Sequence, residues 1–460
     1  MQAAVAAGHP STTAAGIEIL EDGGTAADAA VAASFASCVA ETVMTGLLGG
    51  GHAIYFDAAG GRALNLDCFV AVPGLGVEAR EAELLQLEVP FGAELVHYAV
   101  GPASCAVPGV PAGLRALWQE HGRLPWARLV DPAIRLARDG VDFPPAHAAC
   151  LAMLAPVMTM NGGAEIYSPG GTLLQAGDRL HQPGLVAALE AVAEEPASVY
   201  SGSIAEELLA LCADRGGLLT REDLARYAAR WSEPVEVGYL SGRLLTRGGL
   251  SLVPETVPRL PRLHGLNDTE RVLALVNVLE SRSTGGGDTT NITVVDARGN
   301  ACVLTTSLGL GSGDFLPGLD LHLNSMLGEA DLLRGRLDAG DRMESMLAPT
   351  LVLDGEGLSL AAGSAGGTRL RTALLGVAAG ILDEGLDADA AVQRPRFHPA
   401  PDVVNAEPGV DETALEALEA RGYSVRRWQA QHHYFGGVSV VSRNGAAGDP
   451  RRNGAASRPR

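Results

Sequence analysis

The sequence is poor in aromatic residues and in positive charge. Aromatic side chains account for 4% of the chain, and 34 Lys and Arg stand against 54 Asp and Glu, which gives a formal net charge of −20. A nucleic-acid binder needs a basic surface, so this balance argues against that class of protein. Glycine is abundant, with 58 residues, and hydrophobic residues make up 47% of the chain. We therefore expect an ordered protein whose core is built from small side chains.

The six cysteines are scattered along the chain and form no CxxC pair. Most of them have apolar neighbours, so we expect free, buried thiols. His432 and His433 are adjacent, and adjacent residues of a strand point to opposite faces, which does not suit a shared metal ion. The sequence predicts no metal and no other cofactor.

The first residues lack the basic segment and the long apolar core of a signal peptide. The most apolar stretch, 26–48, contains Asp28 and Glu41, which favours a buried helix over a membrane span. We therefore expect a cytoplasmic protein that does not span a membrane.

A chain of 460 residues exceeds the size of one ordinary core, so two domains or one large layered body is expected. The part before residue 280 is predicted to begin as α+β, and residues 102–260 are predicted to be mainly helical. Its helices are predicted at 14–20 (capped by Ser11 or Thr12), 25–43, 112–121, 126–140, 185–195 and 269–280. Its strands are predicted at 52–56, 65–72 and 235–245, and the proline-containing stretch 246–266 is predicted as loop.

After residue 288, apolar and polar residues alternate in the pattern of β-strands more often than in the first part of the chain. Strands are predicted at 291–296, 301–307, 350–353, 358–361, 403–405, 424–428 and 437–442, and helices at 368–384, 388–392 and 411–421. The tail after residue 443 is expected to end loosely. Helices on the outer faces of sheets predict an α+β fold with four layers, α-β-β-α.

Three glycines, 285–287, lead into Asp288 and Thr289, and a strand pattern follows at once. A threonine hydroxyl is a weak nucleophile unless a neighbouring base activates it, and the threonine's own α-amine can be that base when the residue is a chain terminus. The bond between Asp288 and Thr289 would then have to be cut. The alternative is an ordinary exposed glycine loop that enters a strand.

A second glycine-rich stretch, 363–369, joins a predicted strand to a predicted helix. The backbone N–H groups of this stretch lie at the N-terminus of the predicted helix and could stabilise an oxyanion. The alternatives are a tightly packed turn or a nucleophile at Ser364, although the sequence around Ser364 departs from the G-x-S-x-G pattern. The glycine-rich stretch 309–313 lacks lysine and a following helix, so we interpret it as a conformational element near a site rather than a phosphate loop.

Taken together, these motifs resemble the gamma-glutamyltransferase family of N-terminal nucleophile hydrolases. The resemblance extends over nearly the whole chain and is strongest at 289–301. The other matching stretches are 8–10, 19–32, 45–51, 107–109, 131–140, 323–329, 348–350, 363–369, 394–396 and 449–452.

The resemblance implies a precursor that cuts itself into a large chain, 1–288, and a small chain, 289–460, which stay associated in one αββα body. Thr289 would be the nucleophile, Gly366 and Gly367 would hold the oxyanion, and Ser307 would hydrogen-bond the nucleophile. The positions that match donor-binding residues of the family are Asn324, Glu329, Ser345 and Met346.

The chain also departs from the family pattern. No Arg occurs in 66–73, where family members bind the α-carboxylate of the donor; Gly309 replaces an Asn, and Met346 replaces a Ser. We expect acyl transfer from a gamma-glutamyl-type amide to water or an amine. The alternatives are an amidase similar to glutaryl or cephalosporin acylases and a relative that binds a ligand without catalysis.

Overall fold

Two antiparallel sheets lie face to face between two layers of helices in this computed structural model. The structure describes residues 1–78, 82–91, 94–280, 288–401 and 403–460. The glycines 285–287, expected to form a hinge, lie outside the described residues.

The strands, numbered along the chain, are β1 (Ala4–Ala7), β2 (Gly50–Asp57), β3 (Arg62–Cys68), β4 (Leu85–Phe91), β5 (Glu94–Val100), β6 (Val141–Asp142), β7 (Arg179–Leu180), β8 (Arg230–Ser232), β9 (Val235–Tyr239), β10 (Gly242–Thr246), β11 (Asp288–Val295), β12 (Ala301–Gly309), β13 (Phe315–Leu316), β14 (Leu321–His322), β15 (Thr350–Asp354), β16 (Gly357–Ala365), β17 (Phe397–Pro399), β18 (Val403–Ala406), β19 (Ser424–Arg427), β20 (Gly437–Ser442), β21 (Gly445–Gly448) and β22 (Ala455–Ser457).

The helices are α1 (Pro10–Glu21), α2 (Ala26–Ala40), α3 (Val110–His121), α4 (Trp126–Asp139), α5 (Pro145–Met158), α6 (Gly163–Tyr167), α7 (Pro183–Glu194), α8 (Ser198–Ser201), α9 (Ser203–Arg215), α10 (Arg221–Arg226), α11 (Val253–Thr256), α12 (Asp268–Leu279), α13 (Arg369–Leu382), α14 (Ala388–Gln393) and α15 (Glu412–Ala420).

The first sheet has the strand order β22-β1-β11-β12-β2-β3-β8, and the second has the order β21-β20-β16-β15-β10-β9. Aliphatic side chains of the two sheets, among them Ile54 and Val303 from the first and Leu351 and Val441 from the second, form one buried cluster. Hydrogen bonds also join the sheets, since Thr293 Oγ1 donates to the Ser439 carbonyl at 2.9 Å. The inner faces of the sheets therefore form a common core.

Each sheet is covered on its outer face by helices whose sequences suit burial. Every residue of α2 is buried, and its N-terminus is closed by a capping box between Thr25 and Asp28. This helix packs on β11 and β12, while α13 packs on β16 and β20. The predicted α-β-β-α fold is confirmed.

Most predicted elements after residue 288 are found within a few residues of their expected bounds. All six cysteines are free and buried, as predicted. In the residues that the structure describes, no helix is both long enough and apolar enough to cross a membrane.

Three predictions of local structure are wrong. The single strand predicted at 235–245 is a hairpin of β9 and β10. Its turn contains Leu240 with a left-handed φ of 54°, a conformation that leucine rarely adopts and that the sequence therefore does not indicate. Helix α1 is capped by the His9 side chain, which accepts from the Ser11 N–H at 3.0 Å, rather than by Ser11 or Thr12. The predicted loop 246–266 contains the short helix α11.

The chain end is also more ordered than expected. Strand β21 pairs with β20, and β22 pairs with β1 at the edge of the first sheet. Pairing with distant strands fixes this tail, and no local pattern in a stretch rich in Gly, Ala and Arg signals it.

Candidate active site

Thr289 lies at an irregularity in the pairing of β11 with β12. The register shifts between Asp288 and Thr290, so Thr289 alone stands opposite Ser307 and Leu308. This is the two-against-one arrangement of a β-bulge in β12, which interrupts the regular ladder beside Thr289. The Thr289 side chain is buried, with 3% exposure.

A narrow cleft lies over Thr289 and is called the inner cleft; in the uncut chain about 30 Å³ of it is open to water-sized molecules. It brings most of the site residues expected from the sequence into one place. Its lining residues are Phe69, Thr289, Ser307, Met326, Glu329, Leu332, Ser345, Met346, Leu347, Gly367 and Leu370.

Of the glycine pair between β16 and α13, Gly367 lines this cleft and Gly366 lies next to it without being a lining residue. Gly366 and Gly367 have left-handed φ values of 124° and 55°. A Cβ atom at Gly366 would lie 2.8 Å from the Cα atom of Gly436, so only glycine permits this approach. Because Gly367 and Leu370 line the inner cleft, the first turn of α13 and its partial positive charge border the space beside Thr289.

Glu329 and Ser345 line the inner cleft through side chains that are nearly buried. Ser345 Oγ accepts from the Leu347 N–H at 3.1 Å, which holds the turn that carries Met346. Glu329 occupies space that Gly309 leaves open, since a Cβ atom at Gly309 would lie 2.6 Å from Glu329 Oε1. The replacement of an Asn by Gly309 and the placement of Glu329 are therefore linked.

Asn324 does not line the inner cleft. Its Oδ1 accepts from the N–H groups of Ala106 and Met326 at 3.0 and 3.2 Å. Its Nδ2 donates to the carbonyl groups of Leu48 and Ala106 at 2.9 and 2.8 Å. The side chain is fully buried, and these contacts fasten three separate segments together.

Two charged residues behind β11 were not identified as site residues from the sequence. Arg452 Nη1 donates to the carbonyl of Thr289 at 3.4 Å. Glu41, the residue immediately after α2, accepts hydrogen bonds from the hydroxyl groups of Thr290 and Thr12. Burial raises the pKa of Glu41 to about 7, although both hydroxyl groups and Arg452 act in the opposite direction. A carboxyl group in so apolar a stretch is the signal that could have identified it.

Phe69 lies in the part of the chain where the family's Arg was sought. Its ring is 2% exposed, lines the inner cleft and stacks on His52 with 5.5 Å between ring centroids. Burial, reinforced by Arg247 and Arg342, holds the pKa of His52 well below its ordinary value, so this imidazole is neutral.

A larger cleft, with about 330 Å³ open to water-sized molecules, adjoins the inner cleft and is called the outer cleft. The two share Met346, Gly367 and Leu370. Arg334 and Arg371 bring positive charge to the outer cleft, whose remaining lining residues are Gly249, Leu250, Ser251, Leu252 and Thr368.

The other candidate motifs lie elsewhere. Ser364 is fully buried within β16 and is not among the lining residues of the inner cleft. Within the described ranges, no group of three or more His, Cys, Asp or Glu side chains is arranged to hold a metal ion.

Comparison with known proteins places this geometry in context. The family model described as gamma-glutamyltranspeptidase matches residues 12–253 and 266–458. The chain is 29% identical over 504 residues to the acylase ACY 1 proenzyme of Pseudomonas sp. (strain SE83), covering 96% of this chain and 89% of that protein. It is 27% identical over 503 residues to the glutathione hydrolase proenzyme of Escherichia coli (strain K12), covering 92% of this chain and 86% of that protein.

Among solved structures, the cephalosporin acylase from Bacillus halodurans matches with a TM-score of 0.84 and 22% identity, covering 100% of this chain and 96% of that chain. At this identity the match shows a common fold. The family match, by contrast, spans nearly all of the sequence and confirms the resemblance found in its motifs. The chain belongs to the gamma-glutamyltranspeptidase family, and it is an enzyme of the hydrolase and transferase class.

Proposed function

We propose that the protein cuts itself between Asp288 and Thr289 and then uses Thr289 as the nucleophile of an amide hydrolase or acyltransferase. The observation that carries this proposal is the β-bulge that sets Thr289 apart from the regular ladder and opposite Ser307, at the floor of the inner cleft. The proenzyme names of the Pseudomonas and E. coli relatives support processing.

In the maturation step, Thr289 Oγ attacks the carbonyl carbon of Asp288, and the hydroxyl proton passes to the departing nitrogen. The peptide C–N bond breaks, and an ester replaces it. Water then hydrolyses this ester, which leaves a carboxylate on Asp288 and a free α-amine on Thr289. That amine is the base that the threonine hydroxyl otherwise lacks.

In the catalytic step, Thr289 Oγ attacks the carbonyl carbon of an amide, and its proton passes through the α-amine to the leaving amine. Gly366 and Gly367, beside the positive end of α13, are proposed to stabilise the negative charge on the carbonyl oxygen. Ser307 is proposed to orient the nucleophile. Water or a second amine then releases the acyl group from Thr289.

The acyl part of the amide is proposed to occupy the inner cleft and the amine part the outer cleft. Glu329, Ser345 and Met346 would then contact the acyl group. The first candidate donor is a gamma-glutamyl amide, as in the E. coli relative named a glutathione hydrolase.

The second candidate is an acylase for donors that lack an α-carboxylate, as the name of the Pseudomonas relative suggests. One observation favours it: Phe69, an apolar ring, lines the inner cleft in the segment where an Arg would bind that carboxylate. Loss of a charge-assisted contact of this kind costs about 1.5–3 kcal/mol.

Intact-mass measurement of the purified protein tests the proposal. We expect two chains, 1–288 and 289–460, and an uncut chain of 47.4 kDa in Thr289→Ala. A wild-type chain that stays uncut, like the variant, would overturn the maturation step and favour a relative that only binds a ligand. Comparing gamma-glutamyl and glutaryl p-nitroanilides then separates the two candidate donors.

A further inference from the structure

The described lining of the inner cleft carries little charge. Among the residues that the structure describes, its lining contains one carboxylate, Glu329, and no Arg or His. The other lining side chains are apolar or carry hydroxyl groups.

Two guanidinium groups bind the backbone of lining residues without being lining residues themselves. Arg247 donates to the carbonyl groups of Ser345 and Leu347 at 2.8 and 3.3 Å. Arg342 donates to the carbonyl of Phe69. Both cations therefore bind the backbone of lining residues, and neither is among the lining residues themselves.

The floor that Phe69 forms is apolar and backed by a neutral group. Phe69 stacks on His52, whose imidazole is uncharged because burial lowers its pKa. Met326, Leu332 and Leu370 extend the same apolar surface. A carboxylate placed here would lose its water and meet no cation among the described lining residues, which disfavours it.

We infer that the inner cleft selects an uncharged, largely apolar acyl group, and disfavours both glutaryl and gamma-glutamyl groups. The inference rests on the proposed function, because it assumes that the acyl group enters the cleft over Thr289. Positive charge at Arg334 and Arg371 belongs to the outer cleft and acts on the amine part of the substrate.

Three p-nitroanilides with acyl chains of equal length test this selection: pentanoyl, glutaryl and gamma-glutamyl. The shared leaving group keeps the outer cleft constant. We expect kcat/KM for the pentanoyl compound to exceed that of either carboxylated compound by about tenfold or more, as uncompensated burial of a charge predicts. A glutaryl or gamma-glutamyl preference would overturn the inference.

Introducing a positive charge into the lining provides the second test. Phe69→Arg is expected to raise the ratio of glutaryl to pentanoyl activity by about tenfold or more, because it supplies the missing cation. Phe69→Leu is the matched control and should keep the wild-type order of substrates. Because Phe69 is buried, Met346→Arg at the half-buried junction of the two clefts repeats the test where folding is less affected. An unchanged ratio in a folded Arg variant would overturn the inference.

A failure of the proposed function gives a different result. If the wild-type protein hydrolyses none of the three anilides, the proposed chemistry is wrong. The selectivity of the cleft is then measured by ligand binding. Thermal unfolding with pentanamide, glutaramate or glutamine should show the largest rise in Tm with pentanamide. A larger rise with either carboxylated compound would overturn the inference independently of catalysis.

Discussion

The carboxyl group of Glu41 accepts a hydrogen bond from the hydroxyl group of Thr290, the residue that follows the proposed nucleophile. Its second oxygen accepts from Thr12 Oγ1 at 2.6 Å, so Glu41 connects α1 with β11 at the point where β11 leaves regular pairing. Arg452, which contacts the carbonyl of Thr289, is the cation that acts on it. The residue that follows Thr289 is thus bound by a buried, titratable carboxyl group, and the Thr289 carbonyl by Arg452.

We predict that Glu41 makes the protein less stable as pH rises. The unfolded chain ionises this carboxyl near its ordinary pKa of 4.5, whereas burial keeps it protonated in the folded chain up to about pH 7. Between these values the folded state binds more protons, so the free energy of unfolding falls, by about 3 kcal/mol in total. Glu41→Gln removes this dependence.

Urea unfolding of the wild type and Glu41→Gln at pH 4 and pH 8 measures the effect. The difference in unfolding free energy should shift in favour of the variant by about 3 kcal/mol over this interval. Cys38, in α2, also interacts with Glu41, and burial keeps its thiol protonated throughout this range because its pKa is raised to about 12. A difference that does not vary with pH would contradict the prediction.

Gly366 should not tolerate a side chain. Gly366→Ala places a Cβ atom 2.8 Å from the Cα atom of Gly436 in a backbone with φ of 124°. We expect a loss of about 1–3 kcal/mol of stability and a lower kcat, because the turn into α13 must shift beside Thr289. Gly355→Ala is the control, since its surroundings are open and its φ is not in the left-handed range. Equal stability of the two variants would show that the turn has room to adjust.

The sequence predicted several of the residues that line the cleft at Thr289, but not all of them and not their contacts. Motif order identified Thr289, Ser307 and Gly367, and all three line one cleft. It could not reveal that Phe69 forms the floor of that cleft, because this depends on how the end of β3 meets other segments. Glu41 was visible only as a charge in an apolar helix, and its contact with Thr290 joins residues far apart in the chain.

Local patterns likewise predicted most of the fold after residue 288 but not the hairpin of β9 and β10 or the final strand β22. Leu240 lacks the residue type that normally marks a left-handed turn. The pairing of β22 with β1 connects the two ends of the chain, and such a contact is set by the completed sheet. Periodicity within one segment carries no information of that kind.

Asn324 is predicted to matter for stability. Asn324→Ala would leave the buried N–H and carbonyl groups of Ala106 and the carbonyl of Leu48 without their partner. We expect a loss of about 2–4 kcal/mol, measured by urea unfolding. The exposed Asn444, whose side chain makes one long contact with Leu386, is the control, and Asn444→Ala should change stability by less than about 0.5 kcal/mol. A raised KM in Asn324→Ala with unchanged stability would instead favour a direct role in donor binding.

The two chains produced by cleavage are predicted to remain one particle. In the first sheet, β22, β11 and β12 come from the small chain, and β1, β2, β3 and β8 come from the large chain. In the strand order β22-β1-β11-β12-β2-β3-β8, strands of the two chains are adjacent at three places. Separating the chains would break the ladders β22–β1, β1–β11 and β12–β2 and open the shared core. Because so many buried backbone groups would lose their partners, we expect both chains to elute together in size-exclusion chromatography until denaturant unfolds them. Elution of a folded large chain alone under native conditions would contradict this prediction.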